Sequence, residues 1–184
     1  MGWYVLRCKT GQEERIIHSC RTHLTADVLE EAFIFRSERL WRTEGRWIPL
    51  MRDMFPGYVF LQSSCPELLH CELDQFRKIL RIMEEPGYLI SVYQEEEKFL
   101  RELCGVRHVL ELSYGYNDIE EGKPRIVNGP LNGLESKILK INWHKRIAIL
   151  GMQVARKEKI VWAGVDLLSE KTGNKLSRNH ELVS

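Results

Sequence analysis

Histidine and cysteine are the first side chains to weigh, because imidazole and thiolate supply both metal ligands and nucleophiles. The segment HSCRTH carries His18, Cys20 and His23. On a helix, offsets of two and five do not bring three ligands to one face. Cys65, His70 and Cys71 form a second group that lacks a matching pair elsewhere in the chain. The acidic run Glu95–Glu97 opens an expected helix, where carboxylates complement the dipole, and it makes a poor general acid–base pair. The phosphate-loop, dinucleotide-loop, zinc-protease and nucleophile-elbow motifs do not occur in the sequence. The residues therefore argue against an enzyme and call for no metal or cofactor. The enzyme alternative that remains is a Cys–His site assembled only in the fold.

Binding chemistry is better represented. Lys137, Lys140, Lys145 and Arg146 surround Trp143 and His144, and Arg156, Lys157 and Lys159 follow. Cations beside planar rings suit phosphates and unpaired bases. A third cluster precedes them: five arginines lie between positions 36 and 52, with Arg42, Arg46 and Arg52 in its outer part. The net charge of +1 hides an asymmetry. Residues 1–121 hold 15 Lys+Arg against 21 Asp+Glu, a net of −6, and residues 122–184 hold 12 against 5, a net of +7. A basic second half suits a polyanion; two solvated surfaces of opposite sign are the alternative.

The elements that must position these groups are legible in outline. Gly2–Cys8 reads as a strand, and Gln12–Leu24 as a helix capped by Thr10, with Ile16, Ile17 and Cys20 facing inward. Ala32–Phe55 reads as two extended segments around a loop near Glu44–Arg46. Pro66 starts a second helix running to about Lys78; Ile79–Met83 is expected as a strand and EEPG as a turn. Tyr93–Leu103 is expected as a third helix ending at Gly105, and Arg107–Leu112 as a strand. The polar, turn-rich stretch 113–121 is the expected linker. Beyond it, extended runs at Pro124–Asn128, Ser136–Trp143, Arg146–Met152 and Lys159–Trp162 suggest a small barrel of about five strands, followed by a polar tail.

One segment raises a question about faces. RDMFPGYVFLQ (Arg52–Gln62) breaks at Pro56–Gly57 and then continues as a strand, with Val59 and Leu61 on one side and Tyr58 and Phe60 on the other. Both sides are apolar, as they are on Gly2–Cys8, where Trp3 and Val5 oppose Tyr4, Leu6 and Cys8. If helices cover one side, Trp3 or Tyr4 with Tyr58 and Phe60 make an exposed aromatic patch for a partner. The alternative is that the rest of the chain covers them.

WYVLRCKTGQE, MFPGYVFLQ and VNGPLNGLESKILKI, in that order, resemble the NusG family of transcription factors. The resemblance implies an α+β fold: an N-terminal NGN α/β sandwich, with an antiparallel sheet and helices, plus a C-terminal SH3-like β-barrel, the KOW domain. It implies an NGN domain over 1–112, a linker over 113–121, a KOW domain over 122–169 and a tail over 170–184. It also implies that Trp3, Phe55, Pro56, Gly57, Tyr58 and Phe60 dock on the clamp helices of RNA polymerase, and that the arginine-bearing hairpin approaches DNA near the transcription bubble. Among the family the chain is most similar to the specialised LoaP group, antiterminators that recognise RNA. It differs from the usual KOW pattern at Ser136, where a glycine is common. The implied partners are RNA polymerase and an RNA hairpin or nascent RNA. A ribosome-associated KOW protein that binds rRNA is the alternative, and it would not need the aromatic patch.

The remaining bounds agree with such a protein. A chain of 184 residues holds one ordinary domain or two small ones. Five scattered cysteines fit a reducing cytoplasm better than a disulfide framework. No apolar run reaches the roughly 20 residues of a membrane span, and the N-terminus has no secretory pattern. A cytoplasmic monomer is expected.

Overall fold

The computed structural model describes residues 2–76, 78, 88–118 and 123–168. The strand expected at 79–83, the EEPG turn, part of the expected linker and the tail lie outside the described residues. The chain divides into two compact units: Met1–Phe35 with Asp53–Arg101 and Gln153–Lys159, and Arg36–Arg52 with Glu102–Met152 and Ile160–Ser184. The fold is α+β, with a sheet-and-helix part and a part built on a five-stranded sheet.

In the first unit the sheet has the order β2–β5–β1–β6, from Glu31–Phe33 (β2), Tyr58–Ser63 (β5), Gly2–Arg7 (β1) and Leu89–Ser91 (β6). The two central strands run antiparallel, with Arg7 opposite Tyr58 and Gly2 opposite Ser63. One face carries Leu6, Val59 and Leu61 against helix α1 (Glu13–His23) and helix α2 (Pro66–Gln75), whose Ile16, Ile17, Cys20, Leu69 and Leu73 complete an aliphatic core. That packing follows from period-two strands meeting period-3.6 helices.

The first helix differs from expectation at its start. Gln12, not Thr10, is the N-cap residue, and no side chain caps the helix. Glu13 does more than favour the dipole. Its buried carboxylate accepts the Gly57 N–H at 2.7 Å, which ties α1 to the turn that begins β5. Helix α2 starts at Pro66 as expected, and Ser63 Oγ accepts the Cys65 N–H. Helix α3 (Gln94–Cys104) ends where Gly105 takes a φ of +61°, as the sequence suggests.

In the second unit, Arg36–Thr43 (β3) and Arg46–Asp53 (β4, whose last residue belongs to the first unit) form a ribbon turning at Glu44 and Gly45. Val109–Leu110 (β7) runs parallel to β3 and is shorter than the expected strand. A five-stranded sheet follows in the order β10–β11–β12–β8–β9, from Ser113–Asp118 (β8), Lys123–Asn128 (β9), Ile138–Asn142 (β10), Ile147–Val154 (β11) and Lys157–Leu167 (β12).

The expectation of a linker over 113–121 needs correction at 113–118. Strand β8 pairs antiparallel with β9 and parallel with β12, with Ser113 opposite Val165. It fits because Gly115 lies so close to β9 that an added Cβ would stand 2.2 Å from the Arg125 carbonyl oxygen. The GPL block closes the same region. Gly129, at φ +94°, would strike the Leu112 carbonyl with any side chain, and buried Leu131 donates its N–H to Ser113 Oγ at 3.0 Å.

Candidate functional site

The corner before β5 is built as its sequence dictates. Pro56 and Gly57 occupy the centre of a tight turn closed by the Tyr58 N–H donating to the Phe55 carbonyl at 3.0 Å. Proline fixes the first central φ, and the second must be positive, here +81°. A Cβ at Gly57 would meet the Cys8 carbonyl oxygen at 2.9 Å, so only glycine fits beside β1. The Cys8 N–H donates to the Gly57 carbonyl and Glu13 accepts the Gly57 N–H, so the corner is anchored from both sides.

Behind the corner lies an aromatic cluster. Trp3, Phe33, Phe35, Phe55 and Phe60 meet mostly edge to face, at centroid separations from 4.8 Å for Phe35–Phe60 to 6.3 Å for Trp3–Phe60. Such pairs add about 0.5–1.5 kcal/mol each beyond area burial. Of the two readings open from the sequence, the structure takes the one in which the chain itself covers these rings. Trp3 is 1% and Tyr58 4% exposed, and Phe55 and Phe60 are buried as well. Of the six residues expected to dock, Pro56 alone is exposed.

The cover is polar and cationic. Trp3 Nε1 donates to Gln62 Oε1 at 3.0 Å, and the Arg101 guanidinium lies 4.3 Å from the Trp3 ring centroid. Lys159 Nζ lies 4.0 Å over the Tyr58 ring. Two neighbours of Lys159 reach helix α3: the Ala155 N–H donates to Glu96 Oε2 at 3.1 Å, and the Arg156 guanidinium lies 5.6 Å over Tyr93. Desolvation, followed by the charges of Glu67 and Glu97, raises the Tyr4 pKa.

The basic residues differ in exposure. Lys137, Lys140, His144, Lys145, Arg156 and Lys157 are exposed, while Trp143 and Lys159 are half-buried. Arg146 is engaged: its guanidinium stacks 4.8 Å over Trp47 and pairs with Asp166. On the ribbon, Arg42, Arg46 and Arg52 are exposed. Arg39 lies 5.7 Å over Trp162 and donates to its carbonyl, and burial, then the Arg52 charge, lowers its pKa. Trp41 on β3 is exposed and was not singled out by the sequence.

The cysteine–histidine alternative gains nothing from the geometry. Cys8, Cys20 and Cys104 are buried thiols outside any disulfide, with burial pushing their pKa values up to about 11, 12 and 12. Thiols held protonated in this way are poor nucleophiles. Among the described residues, no three His, Cys, Asp or Glu side chains are grouped to hold a metal ion. No helix among them is long and apolar enough to cross a membrane.

Comparison with known proteins places this geometry. A solved structure described as "Domain interaction in Thermotoga maritima NusG" is similar at 16% identity and a TM-score of 0.43, covering 89% of this chain and 93% of that one. No curated protein sequence matches. The family model described as "Transcription termination factor nusG" matches residues 1–102, which include the whole aromatic cluster and its Pro-Gly corner. The chain belongs to the NusG family, transcription factors that bind RNA polymerase.

Proposed function

We propose that this protein is a processive antiterminator of the LoaP type. Residues 1–112 engage the polymerase clamp helices, and the basic module of residues 122–169 engages RNA. The observation that carries the reading is the Phe55–Tyr58 corner, a family feature locked in place by Glu13 and Cys8 and backed by a rigid aromatic cluster. A dock of this kind works mechanically. It binds one clamp state better than the other and shifts the population toward the processive one. The exposed lysines of the second half, Lys137, Lys140, Lys145 and Lys157, support polyanion contact, as do Arg42, Arg46 and Arg52 on the ribbon.

Tyr58 lies under Lys159, so the reading carries a condition: polymerase reaches this ring only after the cation leaves it. The test is binding to RNA polymerase core, comparing the wild type with Phe55→Ala, Tyr58→Ala and Lys159→Ala, with thermal melts checking the fold. Folded Phe55→Ala or Tyr58→Ala protein should lose binding at least tenfold, and Lys159→Ala should bind more tightly. Wild-type protein that ignores polymerase but binds structured RNA would overturn the reading in favour of an rRNA-binding role.

A further inference from the structure

The ribbon of the second unit carries two tryptophans in different situations. Trp47 is covered by the Arg146 guanidinium, which Asp166 holds in place. Trp41 is 59% exposed. Ile48 and Met51 on the paired strand are exposed too, as are Arg42 and Arg46 on either side of the turn. The turn has positive φ at both Glu44 (+48°) and Gly45 (+76°), which marks a two-residue hairpin matched to the strand twist. In such a hairpin Thr43 faces Arg46, and Trp41 therefore stands opposite Ile48 on the same side.

Exposing an indole and an isoleucine side by side to water is unfavourable, and Arg46, two residues from Ile48 on the same side of the ribbon, gives this apolar surface a cationic border. A duplex presents its phosphates to such a border but hides the flat faces of its bases. An unpaired strand offers both together: rings to stack on Trp41 and phosphates for Arg46.

We infer that the β3–β4 ribbon is a binding site for single-stranded RNA, with Trp41 as the base-stacking platform and Arg46 as a phosphate contact. The choice of RNA rests on the function proposed above; the stacking chemistry rests on the ribbon itself.

The experiment titrates the full chain into a fluorescent, unstructured RNA of roughly twelve nucleotides, within the footprint range of single-strand binders. Fluorescence anisotropy and intrinsic tryptophan emission are followed together. Trp41→Ala should weaken binding about tenfold, as expected for loss of one stacked base, and should remove most of the quenching. Trp41→Phe should restore most of the affinity, and Arg46→Ala should flatten the salt dependence. Polymerase binding by Trp41→Ala should stay at the wild-type level, which separates failure at the ribbon from failure of the polymerase reading. The inference is overturned if Trp41→Ala binds RNA like the wild type, or if annealing the complement leaves affinity and Trp41 dependence unchanged. It is also overturned if single-stranded DNA is bound more tightly than RNA, or if Trp41→Ala loses polymerase instead.

Discussion

The two faces of the β1–β5 pair have equal apolar content and unlike construction. The helix side is aliphatic, with Leu6, Val59 and Leu61 closed over by Ile16, Leu69 and Leu73. The other side is aromatic, and its margins are held by a carboxamide on Trp3 and by two cations over rings. Aliphatic packing has no partner to exchange, because water offers those groups nothing. A cation resting on a ring at the surface contributes only about 0.5–1 kcal/mol, and solvent can replace it. The first face is built to stay shut and the second to be uncovered at its edge.

The sharpest way to break this comparison is to truncate one residue on each face. Leu61→Ala should cost about 2–5 kcal/mol in urea unfolding, because the surrounding helices cannot collapse into the space. Phe55→Leu, at the margin of the aromatic cluster, should cost less than about 1.5 kcal/mol. An equal or larger loss for Phe55→Leu would mean that the two faces are equally committed to the core. Next in size is the link between them. Glu13→Ala leaves the Gly57 N–H without its acceptor and should cost about 1–3 kcal/mol, whereas Glu13→Gln retains an acceptor and should cost less. A silent Glu13→Ala would show that the Pro-Gly corner holds its shape unaided.

The smallest effect concerns the thiols. Burial holds Cys20 and Cys104 protonated, with values raised from 9.0 to about 12. A group whose folded pKa is raised contributes stability that is complete below the unfolded value and is lost as pH climbs through the folded one. Unfolding free energy should therefore decline from about pH 9 toward pH 12, and Cys20→Ala should flatten the slope. At pH 8 a maleimide should label exposed Cys71 and leave Cys20 unmodified. Labelling of Cys20 at a comparable rate would show that the aliphatic face opens readily.

Much of the frame was legible because it rests on local chemistry. Runs of strand-forming residues marked β1 and β5, Pro66 and Gly105 bounded helices, and Pro56–Gly57 announced a turn. The family followed from the same segments. What stayed hidden depends on neighbours distant in sequence. Glu13 looked like an ordinary first-turn acid because its partner is an amide 44 residues away. SYGYND looked like a linker because its strand pairing comes from β9 and β12, although Tyr114 and Tyr116 already alternate. Whether Trp3 and Phe60 were covered stayed open because nothing local reveals that Phe33, Phe35 and Arg101 converge on them.

The parallel pairing of β8 with β12 has a consequence for synthesis. Strand β8 can close a hairpin with β9 almost as soon as both leave the ribosome, but its other edge waits for residues 165–167, which are made far later. Contacts so distant in sequence form slowly, and an open strand edge in the meantime can recruit the wrong partner. The polar composition of SYGYND, with glycine at its centre, is a poor template for such recruitment. The same residues that disguise this strand as a linker protect the nascent chain while its sheet is incomplete.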